Sequence, residues 1–265
     1  MLEGLPGLPM RSGEAGISEQ AMHQGRIRDP VAVGGVLRAL LARTEINSTR
    51  AMVVASDSLA TFRILSFASG TSDTDVEAAV KAQLPAHERF AVRRAEIAVS
   101  GTTRVVYATA WDRDGIRDVT EAIRQAGLDP AVVDLKSLCV ARAVPAPACV
   151  VLDLSAQPVE VILIDDHIPR VWHAFTLGED GDLASALAAG LKPVFAFDRS
   201  RGAELGPDAP VLVRSEQTLP HSVVTRLAHL TGHPVEPVPP PPRVDSGVRY
   251  GAFLACIGLV MRRRV

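Results

Sequence analysis

Apolar residues at Val33, Val36, Leu37, Leu40 and Leu41 recur at the three-to-four spacing of a buried helical face, and Asp29-Pro30 precedes them. A proline in the first turn of a helix loses no hydrogen bond, so a helix is predicted over 30–43. The period then shortens. Ala51 to Ala55 is a β-branched run, and Thr61 to Phe67 sets Phe62 and Ile64 against polar neighbours, which predicts two strands. Ser72 and Asp75 form a capping-box-like start to a helix with Val76, Ala79, Val80 and Leu84 on one face, stopped at Pro85. Ala91 to Val99 and Arg104 to Trp111 read as a hairpin turning at Gly101. Ile116, Val119 and Ile123 predict a helix over 115–126, with Gly127 suited to the left-handed position after its end and a strand over 128–135. From Thr61 the order is strand, helix, strand, strand, helix, strand, a compact α+β module of the split βαβ kind.

Beyond the Pro145-Ala-Pro147 break, Cys149 to Leu154, Val159 to Ile164 and Arg170 to Leu177 predict a three-stranded antiparallel meander with its turn at Asp165-Asp166-His167. Leu183 to Leu191 is helical by spacing, Gly202 to Pro210 is loop, and Val211 to Arg214 is a short strand. Pro220 to Thr231 is a helix ended by Gly232. The run Pro239 to Pro242 predicts a stiff polyproline spacer before a last apolar helix.

Composition narrows the function classes. With 265 residues and 47% apolar content the chain has ample material for buried cores, and a formal charge of −2 supplies no field to gather nucleic acid. Cys139, Cys149 and Cys256 are too few for a disulfide framework and have no zinc-knuckle spacing, as expected of a reducing compartment. Residues 1–16 lack the charged start and continuous apolar run of a secretory signal, and a mobile leader is expected there. The stretch Val248 to Met261, followed by Arg262, Arg263 and Arg264, falls short of the ~20 apolar residues that span a bilayer and reads as a buried helix with a solvated tail.

Several segments carry a family resemblance. The succession Gly25-Arg-Ile-Arg-Asp-Pro, a helix, Ala51-Met-Val-Val-Ala and Phe62-Arg-Ile-Leu-Ser-Phe resembles the PilM pattern, as do the helix end at Gln83-Leu84-Pro85 and Val106-Tyr107-Ala108-Thr109-Ala110. So do Ala126-Gly127-Leu128-Asp129-Pro130, Val132-Val133-Asp134, and the closing Tyr250-Gly251-Ala252 with Ile257-Gly258-Leu259-Val260-Met261-Arg262. The PilM family is the actin-like component of type IV pilus machinery. The resemblance implies an α/β (α+β) actin-like fold with RNase H-like subdomains and an inserted 1C-type domain, in shortened form. The corresponding segments are a 1A remnant over 17–60, the inserted module over 61–135 and a second half over 136–236. A Pro-rich linker over 237–247 and a C-terminal helix over 248–265 complete the expected organisation.

An actin-like ATPase grips phosphates with two Asp-x-Gly hairpins and holds adenosine against a Gly-Gly turn, because glycine lets backbone N–H groups approach and the carboxylate organises Mg²⁺. No Asp-x-Gly hairpin precedes Gly25. In Val151-Leu152-Asp153-Leu154-Ser155-Ala156, Asp153 stands but Ser155 replaces the glycine, and Glu160 stands in the returning strand, where a carboxylate repels phosphate. Ser215-Glu216-Gln217 occupies the place of the Gly-Gly. Asp153 and Ser155 are therefore the candidate remnant of a phosphate loop, with no cofactor expected. Mg²⁺-ATP is the alternative, and the plainer reading of Asp153 is a turn residue bonding its own backbone.

Other candidates have bland explanations. His221, His229 and His233 have approximate helical spacing for a metal, but Gly232 and Pro234 break the helix among them, so surface positions are expected. Asp165, Asp166 and His167 suit a turn better than acid–base work, and Trp111 and Trp172 suit a core or groove wall. No nucleophile elbow or P-loop is present in the sequence, and neither a catalytic residue nor a metal site is expected. What the resemblance implies is a scaffold at the inner face of the cell membrane. It would bind the cytoplasmic segment of a PilN-like membrane protein, connect to the pilus motor ATPase complex and possess the option of self-association. Phe62, Ile64 and Val92 are candidate partner contacts beside the inserted domain, a core role being the alternative for each. The competing functions are a nucleotide-binding actin-like ATPase or switch and the cytoplasmic region of a type II secretion platform protein.

Overall fold

Short polar side chains cap α-helices at Asp29, Ser72, Asp112 and Asp182. A computed structural model describes residues 2–3, 11–84, 88–155, 157–178, 182–201, 205–241 and 249–262. Strands β1 (Leu2–Glu3) and β2 (Arg11–Ser12) pair antiparallel, within the span expected to be a mobile leader. Residues 4–10 of that span, the helix stop at Pro85, residues 202–204 of the expected loop, residues 242–247 of the linker, and Arg263 and Arg264 lie outside the described residues.

The chain divides into two compact units, 14–135 and 1–13 with 136–265. In the first, β3 (Met22–His23) and β4 (Arg26–Ile27) make a minute hairpin that turns through Gln24 and Gly25 at positive φ. The Asp29 carboxylate accepts from the N–H groups of Val31 and Ala32, both at 3.0 Å, and opens α1 (Pro30–Thr44). Strands β5 (Arg50–Ala55) and β6 (Ala60–Ala68) follow. Ser72 caps α2 (Asp73–Gln83) as predicted, accepting from the Asp75 N–H, while the Asp75 carboxylate takes the Ser72 hydroxyl at 2.7 Å in place of the backbone N–H of a full capping box. Strands β7 (Phe90–Ser100) and β8 (Thr103–Asp112) form the predicted hairpin, with Gly101 at φ +56. Helix α3 (Arg113–Gln125) and strand β9 (Asp129–Leu135) complete the unit.

The split βαβ is present but smaller than the six-element expectation. Strands β6 and β7, both antiparallel to β8, run parallel to each other on either side of it, with α2 as the crossover. Leu65, Val76, Val80, Leu84, Val106, Ala108 and Ala110 form the core between α2 and this sheet. Helix α3 and strand β9 are not part of it. Strand β9 pairs parallel with β5, and α3 lies against α1 with Ala122 in a cluster with Val33. A β-carbon on Gly34 would come within 2.9 Å of the Ala122 carbonyl, so α1 and α3 approach closely through a position without a side chain. Local spacing predicts each element but not which sheet it enters, because pairing is a long-range contact.

The second unit begins with α4 (Lys136–Ala143), for which the sequence reading had no element. Strands β10 (Cys149–Asp153), β11 (Val159–Asp165) and β12 (Ile168–Phe175) form the predicted meander. Helix α5 (Leu183–Ser200) runs nine residues past the expected end at Leu191 and contains Pro193. Pro193 and Ala189, whose carbonyl loses its partner to the proline, both lie on the exposed side of the helix, while Leu187, Leu191 and Val194 keep one buried face. Strand β13 (Val211–Arg214), helix α6 (His221–Thr231), the unpredicted strand β14 (Val235–Pro237) and helix α7 (Tyr250–Val260) follow. The sheet order is β12-β11-β10-β13-β14, with β10, β13 and β14 parallel. Val150, Leu152, Val161 and Leu163 pack toward α5 and α6, whereas Val151, Ile162 and Leu212 pack with Val140 and Leu254 of α4 and α7.

Candidate functional site

All five residues of β10 are buried, and the last is Asp153, 2% exposed. Its neighbours follow from register alone. Glu160 of β11 lies directly opposite Asp153 in the antiparallel ladder, and Arg214 of β13 lies opposite it in the parallel one. Directly opposed residues share a sheet face, so one row carries two acids and one base at the carboxyl ends of β10 and β13. This is where open α/β sheets form ligand sites. Lys136, the first residue of α4, adds the second cation. Its Nζ donates to Asp153 Oδ2 at 2.7 Å and also to Glu160.

Arg214 Nη1 donates to the same Asp153 oxygen at 2.5 Å, Nη2 donates to the Ala252 carbonyl at 3.0 Å, and Nε donates to the Gly251 carbonyl. Those carbonyls belong to the first turn of α7, which leaves helical geometry at Phe253. The other Asp153 oxygen, Oδ1, accepts from Ser155 N at 3.1 Å and Ser155 Oγ at 2.6 Å. That is an Asx turn, the plainer role expected of this aspartate.

Four donors thus meet one carboxylate, two on each oxygen. A carboxylate has about four lone-pair sites, so Asp153 has none left for a magnesium ion or its water shell. Burial pushes the Asp153 carboxyl up, but Lys136 and Arg214 outweigh it and hold it below its ordinary value. Burial likewise pushes Lys136 down, and Asp153 and Glu160 more than reverse it. Asp153 and Lys136 therefore form an ion pair at neutral pH, and in formal charge two acids against two bases leave the cluster without net charge. These residues do not fit Mg²⁺-ATP. Nor does the β3–β4 hairpin ahead of α1 supply a carboxylate, since its turn residues are Gln24 and Gly25.

The sequence-predicted residues divide as follows. Asp153 and Ser155 meet, and Glu160 joins them. Phe62 and Ile64 lie on one face of the β6-β8-β7 sheet, where Phe62 stacks on Tyr107 with ring centroids 5.5 Å apart. Val92 faces the other way, against the core under α2, so the three do not form one surface. Asp166 and His167 make the β11–β12 turn at positive φ, and Asp165 pairs with Arg170 at 2.5 Å. His233 stacks on Phe195 with centroids 4.9 Å apart, and His221 lies 3.4 Å from the Thr225 hydroxyl. Trp111 packs with Ala55 and Leu59, and Trp172 with the cluster around Val140 and Ile162.

Sequence reasoning missed Lys136 and Arg214. Arg214 directly follows the apolar run Val211-Leu212-Val213, and Lys136 follows Val132-Val133-Asp134-Leu135, so each is a base at the end of a strand-like segment. Ladder register brings Arg214 to Asp153, and the start of α4 brings Lys136 there.

Another buried carboxylate with two arginine partners lies in the 14–135 unit. Asp112 caps α3 through the Gly115 N–H at 3.3 Å and accepts from Arg26 Nη1 and Arg89 Nη2, both at 2.7 Å. Burial pushes its carboxyl up, and Arg89, Arg26 and the Gly115 amide together drive it well below the carboxylate range. No helix among the described residues is long and apolar enough to cross a membrane.

No family model and no curated protein matches the chain. Among solved structures it is similar to the "PilM-PilN type IV pilus biogenesis complex", with a TM-score of 0.70 and 19% identity over 98% of this chain and 93% of that one. It is also similar to the cytoplasmic domain of EpsL, an inner membrane component of the type II secretion system of Vibrio cholerae, with a TM-score of 0.51 and 14% identity over 87% and 82% of the two chains. At these identities the likeness is one of fold, and the chain has a PilM-like, actin-like α/β fold.

Proposed function

We propose that this chain is a scaffold of a type IV pilus assembly machine, held at the inner face of the cell membrane through its partners and working without ATP hydrolysis. The observation that carries this reading is the likeness to the PilM-PilN complex along 98% of the chain. The filled acceptor sites of Asp153 support the second half of it. The partner is the extended cytoplasmic segment of a PilN-like membrane protein, and through it the scaffold connects to the motor ATPase complex, as a single copy or self-associated. Strand β6 is at the edge of its sheet, where an extended segment adds by main-chain hydrogen bonding. Phe62 and Ile64 flank that edge on one face and are the proposed contacts. Val92 is left to the core. The likeness to EpsL favours one second reading, the same scaffold role in a type II secretion platform.

The test has two arms. A fluorescent ATP analogue with Mg²⁺ should show no saturable binding to the wild-type protein. Micromolar binding that Asp153→Ala abolishes would overturn the scaffold reading in favour of a nucleotide-dependent switch. Peptides covering the cytoplasmic segments of PilN-like proteins from the same cell should bind, with Ile64→Asp weakening them about tenfold, the cost of one lost apolar contact. No binding by any of them would remove the pilus assignment.

A further inference from the structure

Lys136 occupies an unusual position for a lysine. Its ammonium touches two carboxylates that stand opposite each other on neighbouring strands, and its side chain is 18% exposed. In an actin-like nucleotide site, a divalent cation is what an aspartate at this strand end serves. Here both acids converge on a cation that is covalently part of the chain. We propose that Lys136 is a built-in substitute for that divalent ion, and that removing its ammonium turns Asp153 and Glu160 into a two-carboxylate site for Mn²⁺ or Mg²⁺. The inference rests on the nucleotide-free reading above and adds to it what took over the cation's place.

Charge and distance both support the exchange. With Lys136 and Arg214 opposing Asp153 and Glu160 the cluster is neutral, and a divalent ion entering it would bring the charge to +2 in a largely buried place. Without the ammonium, two acids and Arg214 sum to −1, and the ion restores a small positive charge against two direct ligands. The ammonium sits 2.7 Å from Asp153 Oδ2, whereas hard divalent cations take carboxylate oxygens at about 2.0–2.6 Å. Asp153 therefore needs to close by only a few tenths of an ångström on a position that Glu160 already contacts. Ser155, held on the other Asp153 oxygen, fixes the carboxylate plane while the occupant changes. Arg214 stays on Asp153 Oδ2 through its anchorage to the Gly251 and Ala252 carbonyls and limits the affinity to the weak end of the range.

The experiment is Mn²⁺ titration followed by the electron paramagnetic resonance of the free ion, on the full chain and without nucleotide. The wild-type protein should show no saturable binding. Lys136→Ala should bind one Mn²⁺ that saturates below about 1 mM, in the weak-site range, and Lys136→Ala/Glu160→Gln should lose it. If Lys136→Ala does not fold in metal-free buffer, it should fold on addition of millimolar Mn²⁺ and not of potassium at equal ionic strength, read by circular dichroism. Wild-type binding of Mn²⁺ that Asp153→Asn removes would show that the lysine is not the occupant. A folded Lys136→Ala that ignores Mn²⁺, or an unfolded one that Mn²⁺ does not rescue, would show that the acids do not form a site. Because nucleotide is absent, these results are independent of the ATP titration, and either reading can fail alone.

Discussion

Asp153 illustrates how one residue changes meaning with its surroundings. A carboxylate at the end of a buried strand serves a metal, a turn or an ion pair equally well, and here two of its four bonds make the turn and two make the ion pairs. Breaking a buried pair by removing one partner leaves an uncompensated charge, so Arg214→Ala should cost about 3–5 kcal/mol in urea unfolding. Lys136→Met should fall in the same range. The pH dependence has a definite sign. Asp153 titrates lower in the folded chain than in the unfolded one, so its contribution is complete above about pH 4 and lost as the pH falls through the depressed value. Lys136 titrates higher when folded, so its contribution is complete below about pH 10 and lost as the pH rises through the raised value. Urea midpoints for the wild-type should hold level between those limits as far as this cluster is concerned. A Lys136→Met/Asp153→Asn variant should lose less stability on acidification than the wild-type does.

At the scale of elements, packing depends on a few atoms placed where nothing larger fits. Helices α4 and α7 approach so closely that a β-carbon on Gly258 would lie 1.7 Å from the Cys139 carbonyl oxygen. Gly258→Ala therefore forces the helices apart even though alanine is the better helix former. A loss of about 1–3 kcal/mol is expected from thermal unfolding, against a gain if helix propensity alone decided. Asp29→Ala removes the acceptor for two N–H groups at the start of α1 and should cost about 1 kcal/mol by the same measurement, while Asp29→Ser retains most of it. The cap at Ser72 and the start of α1 at Asp29-Pro30 were legible because such signals are local, acting within three residues. The continuation of α5 through Pro193 was not, since it depends on a buried face opposite an exposed proline, which local spacing does not disclose. Helix α4 was missed for a related reason: eight residues between two strands offer barely two turns of period.

The whole molecule has separate cores in its two units, and each unit holds one tryptophan, Trp111 in 14–135 and Trp172 in 136–265. Single Trp→Phe variants thus report one unit at a time. Arg214→Ala should lower the unfolding midpoint seen by Trp172 more than that seen by Trp111, and Asp112→Asn, which strips the carboxylate between Arg26 and Arg89, should do the reverse. Coincident shifts at both tryptophans would mean that the chain unfolds in one step.

Local rules were enough for much of this protein. Apolar spacing and end signals determined α1, α2, α3 and α6, strand patterning determined the β7–β8 hairpin and the β10–β12 meander, and Asp153, Ser155 and Glu160 were already singled out in the sequence. Which elements share a sheet was decided only in three dimensions: β9 left the split βαβ module to pair with β5, and β14 joined β13. Register then set Glu160 and Arg214 on either side of Asp153, while the start of α4 brought Lys136 to the same carboxylate from 17 residues away in sequence. A charge in a sequence shows what it can bind. Its partners are chosen by ladders and helix crossings that join distant residues, and a buried charge persists only where those contacts deliver its opposite.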